Sequence, residues 1–194
     1  TQMISKGLDF ENVGLVGVMN ADASIHNPDY RAYERSFQLL LQVSGRAGRS
    51  TTRGKVLIQT YNPQHPVIQQ VLHNDFKGMY QWQMLERTSF LYPPFIQMIR
   101  ITLKHTQFNR VNEGANWLAN ALRETFNMQR GIEILGPEFP LISRIRNEYM
   151  KDILVKISPS EVSLHQTKVL IKRLETTFQS ISDFRPIKVS YLVE

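Results

Sequence analysis

Two hydrophobic periods alternate along this chain, one of about two residues and one near 3.6, and they divide it into short strands and amphipathic helices. Val13-Gly-Leu-Val-Gly-Val-Met19 is a short apolar run, the pattern of a strand buried on both faces of a parallel sheet. Residues 20–29 are rich in Asn, Asp, Ser and Pro and read as a loop, with Asn27-Pro28 placed as an N-cap followed by Pro at the first helical position. A helix is then predicted from about Asp29 to Ala47, with Tyr33, Phe37, Leu40, Leu41 and Val43 as its apolar face. Lys55–Thr60 is a second buried strand. Pro63 and Pro66 interrupt the chain, and a helix over Val67–Arg87 closes the first half.

Leu91-Tyr-Pro-Pro-Phe95 marks the boundary, because consecutive prolines cannot continue a helix. Beyond it the pattern predicts strand Gln97–Lys104, helix Asn109–Met128, strands Ile132–Gly136 and Lys151–Ile157, helix Glu161–Phe178 and strand Ile187–Val193. On the last helix Val162, Thr167, Val169, Leu170, Leu174 and Phe178 face the sheet. This β-α-β-β-α-β order is that of a ferredoxin-like, split βαβ arrangement. Residues 1–90 and 91–194 are therefore expected as two domains, the first α/β and the second α+β. Trp82 and Trp117 fall inside helical patterns and are expected in the cores.

Composition changes this picture little. At 42% hydrophobic residues the chain has enough apolar material for packed cores, and no run reaches the roughly 20 residues of a membrane span. With no initiator Met, no secretory leader and no Cys, it reads as an excised piece without disulfides. The net charge of +6 divides as +2 before Thr88 and +4 from there on, which suits an anionic partner without a dense basic tail. The five histidines are scattered without ligand spacing, so neither a metal site nor a catalytic triad is expected.

The chemistry lies in Gln42-Val-Ser-Gly-Arg-Ala-Gly-Arg49. On a continuous helix Gln42, Arg46 and Arg49 stand at i, i+4 and i+7 and form one polar stripe. Two aligned guanidiniums repel unless an anion shares the space, and a planar guanidinium suits phosphate through two parallel hydrogen bonds. Gly45 and Gly48 clear side chains from beside the stripe, at roughly 1 kcal/mol each relative to Ala in a helix. A basic helix end that merely complements its own dipole is the plainer explanation of Arg-x-x-Arg by itself.

The full Gln-x-x-Gly-Arg-x-Gly-Arg pattern resembles motif VI of superfamily 2 helicases, and Thr1-Gln-Met-Ile-Ser-Lys-Gly-Leu-Asp-Phe10 resembles motif V. Further stretches extend the match: Pro28–Arg35 running into Gln38–Arg49, Gly54–Thr60, Pro63-x-His65-Pro66, Glu86-Arg87, Tyr92-Pro-Pro-Phe95 and Leu135-Gly-Pro137. Together they resemble the PriA (primosomal protein N′) family of replication-restart helicases, essentially end to end.

That resemblance implies part of a RecA-like second motor lobe over 1–90 and a ferredoxin-like C-terminal domain over 91–194. It implies an ATP-dependent 3′→5′ DNA helicase that recognises stalled forks and assembles the primosome in the bacterial cytoplasm, associated with the nucleoid. Arg46 and Arg49, with Gln42, would act on ATP and Mg²⁺ held mainly by the opposite lobe, with Gly7 and Asp9 facing the same nucleotide cleft. No phosphate loop or DExH box occurs, so the chain alone is expected to be inactive in ATP hydrolysis. Zinc would belong to cysteines in the full-length protein only.

Thr1, Gln2 and Lys6 would lie towards the DNA backbone. Arg144, Arg146, Tyr149 and Lys151 mix basic groups and a ring at an expected loop-to-strand junction, where cations neutralise phosphates and a ring can stack on a base. A solvated loop with Tyr149 packed beneath it is the plainer alternative there. The family's C-terminal domain also helps to bind the acidic tail of the single-stranded DNA-binding protein. Glu161, expected at the start of the last helix, would repel such a tail, leaving Lys168 and Lys172, with His165, as the candidate contacts. A stand-alone nucleic-acid-binding module, an RNA helicase of the same superfamily and a protein-interaction scaffold remain as alternatives.

Overall fold

The computed structural model describes residues 13–47 and 54–194, arranged as two compact units divided between Ser89 and Phe90. Both units combine sheet and helices, the mixed α/β class expected from the alternating periods. No helix among the described residues is long and apolar enough to cross a membrane.

In the first unit β1 (Leu15–Val18) and β2 (Lys55–Ile58) pair in parallel, Leu15 opposite Lys55 and Val18 opposite Ile58. Four helices accompany them: α1 (Asp22–Ile25), α2 (Ala32–Ser44), α3 (Pro66–Leu72) and α4 (Phe76–Ser89). Ala21, Ile25, Phe37, Leu40, Val67, Ile68, Val71 and Met79 form the core, with Val18 and Ile58 of the strands packed against it. Burial on both sheet faces does not hold among the described residues. Leu15, Gly17 and Leu57 alternate with the covered side chains, and Leu15 and Leu57 are exposed.

Local polar chemistry moves several element ends from their expected places. Helix α1 occupies part of the predicted loop. The Asn27-Pro28 cap is not the start of α2, because two Asx turns intervene: Asn27 accepts from the Asp29 amide at 3.1 Å and Asp29 from the Arg31 amide at 2.9 Å. The predicted helix over 67–87 is two helices. Asn74 adopts a positive φ of 53°, and the Asp75 carboxylate accepts from the Gly78 amide at 2.8 Å, which starts α4 afresh. Pro66 opens α3 rather than breaking the chain. Trp82, expected in the core, is 42% exposed, and Met79 and Gln83 supply the buried face of α4 instead.

Two polar ties hold this unit. Asp22 is buried and receives the Tyr61 amide at 2.9 Å and the Thr60 hydroxyl at 2.8 Å, and these bonds hold its carboxyl below the usual carboxylate range. His65 caps α3, its Nδ1 accepting from the Val67 amide at 3.3 Å. Burial, and then His26 with its ring centroid 6.1 Å away, hold the His65 imidazole below its ordinary value of 6.5, against an opposing pull from Asp22. The unfolded chain therefore takes up this proton before the folded one does. Stability should be fully present above about pH 6.5 and fall as pH drops below it. Chemical denaturation midpoints between pH 8 and pH 5 should show the decline, and His65→Asn, which keeps a capping oxygen without titrating, should flatten it.

In the second unit β3 (Gln97–His105), β4 (Ile132–Glu138), β6 (Glu148–Ile157) and β7 (Lys188–Val193) form an antiparallel sheet in the order β4-β6-β3-β7. The short β5 (Arg144–Ile145) pairs with the start of β6. Helices α5 (Phe108–Phe126) and α6 (Leu164–Ser180) complete the element order β-α-β-β-α-β around that added rung. Ile99, Ile101 and Leu103 of β3 and Ile153, Val155 and Ile157 of β6 meet Val111, Leu118, Leu122 and Phe126 of α5 and Ile171 and Phe178 of α6 in one core. Thr167 and Phe178 face it as predicted, whereas Val169 is exposed. Arg100, Thr102 and Lys104 alternate with the core residues of β3, and Thr102 donates to Asp152 at 2.7 Å. At Gly136 (φ 89°) a bulge shifts the β4 register, and a Cβ there would lie 2.7 Å from the Asp152 carbonyl oxygen.

Candidate nucleic-acid interface

The arginine helix ends earlier than the sequence suggests. Helix α2 stops at Ser44 with Gly45 as its C-cap, and the Arg46 amide reaches back only three residues, to the Val43 carbonyl at 3.2 Å. Glycine at the last turn supplies no side-chain packing to prolong the helix. Gln42 is therefore helical and exposed, while Arg46 is half-buried in the turn that follows, so the two do not share a helical stripe. Gln42 borders an open cleft of about 770 Å³ beside the end of β1, lined also by Met19, Asn20, Asp29 and Arg35. Asp29 and Arg35 form an ion pair across 2.5 Å there. Arg49, with Thr1, Gln2, Lys6, Gly7 and Asp9, lies outside the described residues.

The candidates Arg144, Arg146, Tyr149 and Lys151 do come together, in a hairpin rather than at a loop-to-strand junction. Strand β6 starts at Glu148, three residues ahead of its predicted start. Arg144 pairs with Tyr149 and Ile145 with Glu148, leaving Arg146 and Asn147 as a two-residue loop. Both loop residues have positive φ, 49° and 65°, the sign that matches the twist of a tight hairpin. Asn takes this conformation readily; Arg does so at some cost, and its guanidinium stands at the exposed tip.

Each cation of the hairpin has a different environment. Arg144 is exposed, stacks its guanidinium 4.8 Å from the Tyr149 ring centroid and donates to the Asn147 side chain. Lys151 is only 8% exposed, with Nζ 3.8 Å from the centroid of Phe139. Its charge is held against a ring and is not offered at the surface, a correction to its expected place beside Arg144 and Arg146. The acid of the hairpin, Glu148, accepts from Lys188 at 2.6 Å, and this bond, with Lys104 and His105 nearby, holds its carboxyl below the usual range. The hairpin therefore keeps a positive balance.

Two rings missing from the sequence-derived set complete the cluster. Phe108 opens α5 and Phe139 follows β4; their centroids are 5.8 Å apart and nearly parallel. Phe108 also meets Tyr149 edge-on at 5.6 Å. The visible signal was a phenylalanine in the Glu138-Phe-Pro loop, but nothing local tied it to residue 108.

The last helix departs from expectation in one respect. Helix α6 begins at Leu164, after Ser163, so Glu161 sits in the preceding turn, bonded to the Ser158 carbonyl at 3.1 Å, and does not start the helix. His165 and Lys168 are exposed, and Lys172 is exposed but paired with the buried Glu175 at 2.6 Å. Lys168 and Lys172 flank an apolar hollow of about 180 Å³ formed by Ile99, Ile171, Tyr191 and Val193. The Tyr191 hydroxyl is raised above its ordinary pKa by burial and by Glu175. No group of three His, Cys, Asp or Glu among the described residues could hold a metal, and the chain has no Cys.

A family model described as the primosomal protein N C-terminal domain matches residues 88–190. Proteins named replication restart protein PriA are similar over most of the chain. The one from Bacillus subtilis is 40% identical over 174 residues, 90% of this chain and 21% of that protein. Those from Treponema pallidum and Borreliella burgdorferi are 39% and 32% identical, over 80% and 97% of this chain. The chain spans 21% to 29% of the length of these three relatives.

Proposed function

This chain belongs to the primosomal protein N C-terminal domain family, and on that premise we propose that it is the C-terminal part of an ATP-dependent 3′→5′ DNA helicase that restarts stalled replication forks. The observation that carries the reading is the coincidence of that family's span with a basic, ring-bearing hairpin. The order β-α-β-β-α-β is read as a ferredoxin-like domain, and the parallel β1–β2 pair with its helices as part of a RecA-like second motor lobe.

Bound ATP with Mg²⁺ would supply the phosphoryl group whose transfer to water drives the motor. Arg46 and Arg49 would donate to its phosphoryl oxygens as negative charge develops. Gln42 is assigned to the same nucleotide, and what supports it is its exposure on a cleft of about 770 Å³. Gly7 and Asp9 are assigned to the nucleotide in the same reading. The chain contributes no phosphate-binding loop, so this is half of a site. In the second unit Arg144 and Arg146 contact DNA phosphates, with Thr1, Gln2 and Lys6 as further backbone contacts from the first.

A contact with the acidic tail of the single-stranded DNA-binding protein, through Lys168 and Lys172 with His165, belongs to the same reading, and the exposed lysines beside the hollow between α6 and β7 support it. Other primosome proteins are partners of the whole assembly in this reading.

Phosphate-led binding releases counterions, so it must weaken with salt. About three phosphate contacts give a slope near −2 in log affinity against log salt, hence a loss of roughly 20-fold between 50 and 200 mM. Fluorescence anisotropy of this chain with forked DNA should show that decline; affinity that does not change with salt would remove the phosphate contacts.

A further inference from the structure

Phe108 and Phe139 come from segments more than thirty residues apart, yet they stack on each other while remaining 44% and 43% exposed. Paired phenylalanines with no task at the surface would gain by fuller burial. Tyr149, the ring expected from sequence to stack on a base, is half-buried and already flanked by Phe108 and the Arg144 guanidinium. The open ring surface therefore belongs to the phenylalanines. Arg144 adjoins it through Tyr149, and Arg146 stands at the exposed tip.

We propose that Phe108 and Phe139 form a stacking platform for unpaired bases of single-stranded DNA, with Arg144 and Arg146 holding the adjoining phosphates. This rests on the reading of the chain as a DNA-contacting part of a helicase. Charge decides the occupant. The exposed cations beside the rings are Arg144, over Tyr149, and Arg146 at the tip, and the Glu148 carboxylate is already bridged by Lys188. A polyanion with flat apolar groups matches both features. In a duplex the base faces are stacked inside, so the phosphates could reach the arginines but the bases could not reach the rings. Lys151, seated on Phe139, keeps that ring electron-poor on one side and holds it in place.

The test compares two single strands of equal length and equal charge, an oligothymidylate and its fully abasic counterpart, each titrated against this 194-residue chain by fluorescence anisotropy. Stacking predicts thymidylate binding about 5- to 100-fold tighter than abasic binding. Phe108→Leu and Phe139→Leu, which keep apolar bulk, should each remove most of that difference and leave abasic affinity unchanged, with each variant shown to be folded by circular dichroism. Equal affinity for the two strands overturns the platform while leaving phosphate contact, and the proposed function, standing. It is also the result expected if the patch instead docks a protein. A thymidylate preference that survives both substitutions overturns the assignment of these rings. Binding of neither strand overturns both the platform and the DNA-contact reading beneath it.

Discussion

Replacing Arg49 with Ala in the longer protein is expected to cut DNA-stimulated ATP hydrolysis by about 10³- to 10⁵-fold, the range measured for arginine fingers, while leaving affinity for forked DNA nearly unchanged. Negative charge on the phosphoryl oxygens grows between ground state and transition state, so a guanidinium aimed there stabilises the second more than the first. Binding of the nucleotide should therefore change far less than turnover. Arg49→Lys keeps a charge but loses the planar two-pronged donor, and should recover only part of the rate. Arg46 stands at the turn where α2 has ended, so it approaches from a different direction than a continuous helix would give it. Undiminished turnover in Arg49→Ala would remove that residue from its assigned role.

The second large effect is on folding. Phe178→Ala should destabilise the second unit by about 3–5 kcal/mol. The Phe178 ring is fully buried on α6, 5.1 Å from Phe184 and 5.8 Å from Trp117 by centroid distance, and it lies within the core shared by α5, α6 and the sheet. Removing it leaves a cavity walled by rings, which collapse poorly because they have few rotamers to adjust. The packing is tight: a Cβ added at Gly114 would lie 2.5 Å from the Ile187 side chain and 3.1 Å from the Phe178 ring. For a unit of this size the loss corresponds to a fall in melting temperature of roughly 12 °C or more. Calorimetry, or the emission of Trp117, should show it. A shift of only a degree or two would mean the core repacks around the gap.

The elements legible in the sequence are those set by long apolar periods. Strand β3 and helix α5 lie close to their predicted spans because Ile99, Ile101, Leu103 and Val111, Ala115, Leu118, Leu122 repeat at two and near 3.6 residues. The misplaced boundaries were set by single polar groups. One Asn at positive φ divided the helix predicted over 67–87, and an aspartate cap restarted it; periodicity across the break stays helical and hides both. Arg144, Arg146 and Tyr149 were legible as a mixed basic and aromatic stretch. Their hairpin was not, because its loop is Arg-Asn rather than the Asn-Gly that usually announces a two-residue turn. Phe108 and Phe139 were illegible for another reason: their stacking depends on which strand lies beside which, and that order is a property of the whole sheet.

The most direct measurement of whether this hairpin meets DNA is the affinity for forked DNA of the chain carrying Arg144→Gln and Arg146→Gly together. Glycine at 146 accepts the positive φ of the turn, so the hairpin should persist while two charges are lost. If the hairpin holds phosphates, affinity at 50 mM salt should fall and the salt slope should flatten by about 1.5, the share of two contacts. Unchanged affinity and an unchanged slope in a folded double variant would contradict the interface.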